Sequence, residues 1–175
     1  LISLVQTVSA QQDLLTVPRN IVLPRDSTAR VRLLASLNGF LSEKEQPNDR
    51  NSYVSKEHFL GTSAELDEMK GMERSANPKD DHFYKAYLTN VIELRDRRFL
   101  MQFSYLGTKE GSPVLRASFT VIAEPDSDRF SFSSPLERNA RGWKTASFGQ
   151  TTLHYMNTLD TAVALAYCRL SDAYD

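Results

Sequence analysis

Few residues in this chain stand at spacings that could do chemistry. The three histidines, His58, His82 and His154, are spread across the chain. None lies in H-E-x-x-H, which puts two ligands on one helix face, and none has an acidic or histidine partner at metal-ligand spacing on an expected helix. His82 follows Asp80 and Asp81, neighbours that favour a proton or cation on the ring, but in a polar loop such a group is chiefly a solvated charge cluster. The seven glycines are scattered, so no glycine-rich loop cradles a phosphate. The nucleophile-elbow pattern G-x-S-x-G does not occur. Glu65, Asp67 and Glu68 share a charged helix surface, where solvation rather than a raised pKa is the default. Cys168 is the only cysteine, so no intrachain disulfide can form, and it reads as a small, partly buried helix residue. No catalytic residue, metal ligand or cofactor is assigned within this segment.

The aromatic residues are more suggestive. Tyr84, Tyr87, Phe99, Phe103, Tyr105, Phe119, Phe130, Phe132 and Trp143 would line a concave pocket if the sheet curls around a helix. Tyr87, Tyr105 and Trp143 would then bring polar tips to a small hydrophobic ligand. The same residues also suit an ordinary core between sheet and helix, because every strand of a one-sided sheet needs an apolar face. Basic residues concentrate only in RDRRF (95–99) and at Arg138 and Arg141, with no aromatics interleaved as nucleic-acid binding would want. With 21 Lys and Arg against 22 Asp and Glu there is no general field to draw a polyanion. No apolar run approaches the ~20 residues needed to span a bilayer.

The elements that must position these residues follow from periodicity. After Pro24, Asp26 or Ser27 caps an amphipathic helix that runs to about Glu45, with Val31, Leu34, Leu37 and Leu41 on one face and Leu33 and Phe40 widening it. A second helix is expected from Thr62, which has capping-box spacing to Glu65, with Leu66, Met69 and Met72 as its apolar stripe. SANPKDD (75–81) reads as a loop. From Phe83 the period becomes two. Tyr84, Ala86, Leu88, Ile92 and Leu94 share a face; so do Phe99, Met101, Phe103 and Tyr105; so do Leu115, Ala117, Phe119, Val121 and Ala123; Phe130 and Phe132 follow. RDRR, TKEGS and PDSD are the polar turns between them. Four such strands make an antiparallel meander, and helices gathered before it make the class α+β. The expected fold is thus amino-terminal helices packed on a twisted antiparallel sheet of about four to five strands, with a carboxy-terminal helix.

Pro135, Asn139 and Gly142 mark residues 134–142 as a boundary, followed by a strand at Trp143 or at Thr151–Tyr155. The last helix is expected over 158–175, capped by Asn157 with Asp160 three residues on. Its stripe of Leu159, Val163, Ala166, Tyr167 and Leu170 continues to Tyr174 with no stop signal, and predicts that this helix belongs mainly to a following domain. The opening LISLVQTVSAQQ, an apolar run closing on Val8, Ser9 and Ala10, reads as the tail of a signal peptide cut after Ala10. The division is therefore a signal-peptide remnant at 1–10, an α+β accessory domain at 11–142, and the start of a following domain at 143–175, all in an exported protein, periplasmic, cell-surface or secreted.

Helices packed on a strongly twisted antiparallel sheet resemble the cone-like NTF2 or cystatin-like architecture. FSFSSPLERNARGWKTASFGQTTLHYMNTLDTAVALAYCRLSDAYD (130–175) resembles the junction in exported bacterial gluzincin-type metallopeptidases, where an accessory domain passes into the first strand and helix of the peptidase domain. The family's catalytic histidines and glutamates have no counterpart here, so none is carried over. The resemblance implies a non-catalytic accessory domain that recognises a protein or peptide partner, or contacts the following domain of its own chain, with sheet edges as the contact surface. The alternative is a self-contained cone that binds or transforms a small hydrophobic ligand near Tyr87, Tyr105 and Trp143.

Overall fold

The computed structural model describes residues 14–75 and 82–173. The expected signal remnant, all but Ser75 of the SANPKDD loop, and Tyr174 lie outside the described residues. The chain divides into two compact units, Leu1–Ser134 and Pro135–Asp175. The division falls at the start of the breaker-rich stretch 134–142.

In the first unit, strand β1 (Leu15–Thr16) precedes helices α1 (Ser27–Ser42) and α2 (Phe59–Met69) and strands β2 (Lys85–Glu93), β3 (Phe99–Lys109), β4 (Ser112–Asp126) and β5 (Arg129–Ser133). They form an α+β fold on one curled, mixed sheet of order β1-β2-β3-β4-β5, in which β2 to β5 are the antiparallel meander and β1 runs parallel to β2.

Asp26 caps α1 as its type and position predict, its Oδ1 accepting the amides of Thr28 at 2.8 Å and Ala29 at 3.2 Å. The buried face of α1 is rotated from the expected one. Leu33, Leu37, Phe40 and Leu41 are buried with Ser36 and Gly39, whereas Val31 is 65% exposed. Gly39 accounts for the rotation: a Cβ there would stand within the Tyr53 ring, so only a glycine face lets α1 approach that closely. Helix α2 starts a turn earlier than the capping-box pattern places it. Thr62 therefore sits inside the helix and its hydroxyl donates to the His58 carbonyl at 2.8 Å. The chain leaves α2 at Gly71, whose φ of +66° a residue with a side chain rarely adopts.

The interior between helices and sheet is filled by Leu33, Leu37, Phe40, Leu66, Met69, Leu88, Met101, Phe103, Tyr105, Val121 and Phe132. Phe103 stands between Leu88 and Phe119, and Tyr105 between Ala86 and Ala117. Phe119 is only half-buried against this core, short of the full burial its strand pattern predicts. Leu115 leaves the expected face altogether and is 59% exposed. Tyr105 pairs with Ala117 and Leu106 with Leu115, so Arg116 is the extra residue of a β-bulge that turns Leu115 to the other side.

One strand edge is covered and another is open. Residues before α2 lie along β5, where Phe132 N donates to the Tyr53 carbonyl at 2.7 Å and Ser55 N to the Phe132 carbonyl at 2.8 Å. On β4, β5 reaches only Ile122–Asp126, so Ser112–Val121 is paired on the β3 side alone among the described residues.

The second unit holds the short helix α3 (Leu136–Ala140), the hairpin of β6 (Lys144–Phe148) and β7 (Thr151–Tyr155), and helix α4 (Thr161–Asp172). The expected irregular connection thus contains a helical turn, and both candidate strands exist and pair with each other. Asp160, not Asn157, caps α4, accepting from Ala162 N at 3.0 Å and Val163 N at 3.1 Å. Ala164 and Cys168 are the buried side of α4, and the expected stripe residues Val163, Tyr167 and Leu170 are exposed.

Candidate functional site

The first unit carries an open cleft of about 650 Å³ at the amino-terminal end of α1. One wall is the segment Val22–Asp26 and the first two turns of α1. The other comprises the end of β2, the β2–β3 turn and the β4–β5 turn, with Phe99 and Phe130 at its base. The floor is apolar, made by Leu23, Val91, Phe99 and Phe130. The rim is charged.

Arg25, Arg32 and Arg97 line this cleft and are exposed, and none makes a hydrogen bond or ion pair among the described residues. Arg32 follows Thr28 and Ala29 by four and three residues, the spacing that aligns side chains on one helix face, while Arg25 precedes the Asp26 cap, outside the helix. Arg97 comes from the facing turn, where its φ is +58°, next to Asp96 at +61°. Ser127, on the β4–β5 turn, is at +54°. These are left-handed conformations that cost a non-glycine residue of order 1 kcal/mol or more, and two of the three residues face the cleft. Two carboxylates share the site. Asp26 is held by the α1 amides, and Glu93 is exposed at the end of β2. Because Asp26 already takes the free amides, the helix terminus offers little to a ligand, and anion recognition falls to the guanidiniums.

Tyr105 is fully buried in the core. Tyr87 pairs with Ser104 and is half-buried on the sheet face opposite Ala86 and Leu88. Neither lines the cleft. Trp143 belongs to the second unit, is 37% exposed, and donates its amide to the Ala140 carbonyl at 2.8 Å.

A buried polar knot surrounds Tyr105. Lys44, 3% exposed, places Nζ 2.9 Å from Glu73 Oε2 and also bonds Glu45 Oε1, which in turn accepts the Gly71 amide at 2.8 Å. Burial alone would push the Glu45 carboxyl up, but the Gly71 amide, Lys44 and Arg74 together hold it below its usual value. Burial, reinforced by Glu73 and Glu45, pushes the Tyr105 phenol far up, and its hydroxyl meets no partner at hydrogen-bonding geometry among the described residues. Geometrically the knot ties the end of α1 to the end of α2.

A second polar group joins α2 to the end of β5. Ser134 N donates to Thr62 Oγ1 at 3.0 Å and Ser134 Oγ to Glu65 Oε1 at 2.9 Å, and burial raises the Glu65 pKa against the lowering effect of that bond. Among the described residues no group of three or more His, Cys, Asp or Glu is arranged to hold a metal ion. No described helix is long and apolar enough to cross a membrane.

Compared with protein-family models, with curated proteins and with solved structures, the chain matches none.

Sequence reasoning missed the cleft. Arg97 is legible only as part of a polar turn, and nothing singles out Arg25. The one available signal is the three- and four-residue spacing that puts Arg32 on the flank of α1 holding Thr28 and Ala29. Lys44 and Glu45 sit in SEKEQ, which reads as a solvated run, because nothing local shows that Lys44 turns inward.

Proposed function

We propose that the first unit is a non-catalytic accessory or interaction domain that recognises a protein or peptide partner, and that the cleft at the start of α1 is where the partner docks. The observation that carries this reading is the cleft's make-up: an apolar floor under a rim whose three guanidiniums make no ion pair with a described residue. An open trough with that division suits a chain segment that lays apolar side chains on the floor and keeps its backbone at the rim. Its walls rest on the capped end of α1 and on two tight turns. The accessory role, export, and a metallopeptidase whose catalytic part lies outside this chain extend the same proposal, and rest on the resemblance of 130–175 and on the Val8-Ser9-Ala10 pattern.

Selection of a random peptide display library on the protein tests the docking site. Ala29→Trp fills the floor of the cleft from a half-buried, floor-facing position. Peptides enriched on the native protein should lose binding to Ala29→Trp while the melting curve stays unchanged. Enriched peptides that bind both proteins equally would place recognition elsewhere, and a library that yields no binder would defeat the reading. Intact mass of the protein recovered from its host tests export separately, since retention of Leu1 to Ala10 would exclude cleavage after Ala10.

A further inference from the structure

We propose that the segment received by the cleft is acidic, carrying at least two side-chain carboxylates interleaved with apolar residues. This rests on the docking reading above and adds the chemistry of the occupant. Arg25 stands just before the Asp26 cap, Arg32 lies in the second turn of α1, and Arg97 projects from the opposite wall. Like charges repel, so three guanidiniums without partners sit at separate points of the rim, and each is best answered by its own carboxylate in a bidentate pair. A single terminal carboxylate satisfies one of them. An acidic segment satisfies two or three.

The local charge balance agrees. Three arginines line the cleft with two carboxylates, Asp26 and Glu93, an excess of one positive charge, and the Asp26 oxygen that could answer a guanidinium already accepts the amides of Thr28 and Ala29. The chain as a whole is near neutral, so the attraction is a property of this trough and not of a general basic surface. The apolar floor of Leu23, Val91, Phe99 and Phe130 takes the residues between the acids, and an extended segment presents alternate side chains to opposite sides. Alternating acidic and apolar residues therefore meet rim and floor in turn.

The test uses two capped, dye-labelled six-residue peptides, one alternating glutamate with leucine and one alternating glutamine with leucine, titrated into the whole protein at low and at physiological salt. The glutamate peptide should bind at least about tenfold more tightly than the glutamine peptide at low salt, and the advantage should shrink as salt is added. Arg32→Gln with Arg97→Gln should remove the advantage. Arg30→Gln with Arg19→Gln, an equal charge change at two exposed residues outside the cleft, should leave it intact, which separates the site from net charge. Equal binding of both peptides, or equal loss in this control, overturns the acidic assignment while the docking site stands. If neither peptide binds and the library also yields no binder, both fail together.

Discussion

Gly39 offers the sharpest test of how α1 is seated. Replacing glycine by alanine inside a helix ordinarily stabilises by about 1 kcal/mol, and Gly39 lies within Ser27–Ser42. Here the new Cβ would overlap the Tyr53 ring at Cζ, Cε2 and the hydroxyl. The Tyr53 backbone is pinned, its amide donating to Asn51 Oδ1 at 3.1 Å and its carbonyl accepting from Phe132 N at 2.7 Å. Relief must therefore come from swinging the ring, which also carries the Arg129 guanidinium 5.2 Å from its centroid. Overpacking of this kind costs ~1–3 kcal/mol, and the lost cation–π contact adds about 0.5–1 kcal/mol. Set against the helix gain, Gly39→Ala should destabilise by about 0.5–3 kcal/mol. In a Tyr53→Ala background the obstacle is gone, and the same substitution should stabilise by roughly 1 kcal/mol. The assay is urea unfolding of the four proteins followed by far-UV circular dichroism, compared at equal slopes. A stabilising Gly39→Ala in the native background, or an equal effect in both backgrounds, would refute the close approach of α1 to Tyr53.

Phe103→Ala should cost ~3–5 kcal/mol, as for a fully buried phenylalanine, and Phe119→Ala clearly less because its ring is half-buried; matched urea melts decide, and the reverse order would overturn the facing of β4. Lys44→Met should destabilise by up to about 3 kcal/mol, below the full cost of breaking a buried pair because Glu45 and Glu73 retain access to water; a more stable variant would mean that Lys44 is not held as described. For Glu65, burial raises the folded pKa above the unfolded value. Its favourable contribution is therefore present at low pH and is lost as pH rises through the raised folded value. The stability of the native protein relative to Glu65→Gln should accordingly fall as pH rises above the ordinary carboxylate range, read from urea midpoints at a series of pH values, and a relative stability that rises would contradict the sign.

Features decided within a few residues of themselves could be read from the sequence. The cap at Asp26 is such a feature, since the carboxylate and the amides it satisfies are two and three residues apart. So are the alternation through Phe99–Tyr105 and the polar turns that make β2 to β5 a meander, because a strand's faces and a turn's backbone are set by neighbouring residues. Where two local signals competed, tertiary context chose. Asp160 rather than Asn157 caps α4, and α2 begins at Phe59 although Thr62 offers a cap. Which of two apolar faces α1 buries depends on Tyr53, fourteen residues away in the chain from Gly39, and burial of Lys44 depends on Glu73, twenty-nine residues on. The bulge at Arg116 exists only in the pairing with β3. β1 is two residues long, too short for any period, and is a strand only because Ala86 and Tyr87 lie beside it and its amides reach Asn38. The cleft is assembled from residues 22–32, 91–99 and 125–130. No one segment contains its shape or its charge. Local patterns specify elements because their energies are local, whereas burial, register and the placing of three arginines around one trough come from contacts between distant segments, which form only when the sheet curls and α1 packs onto it.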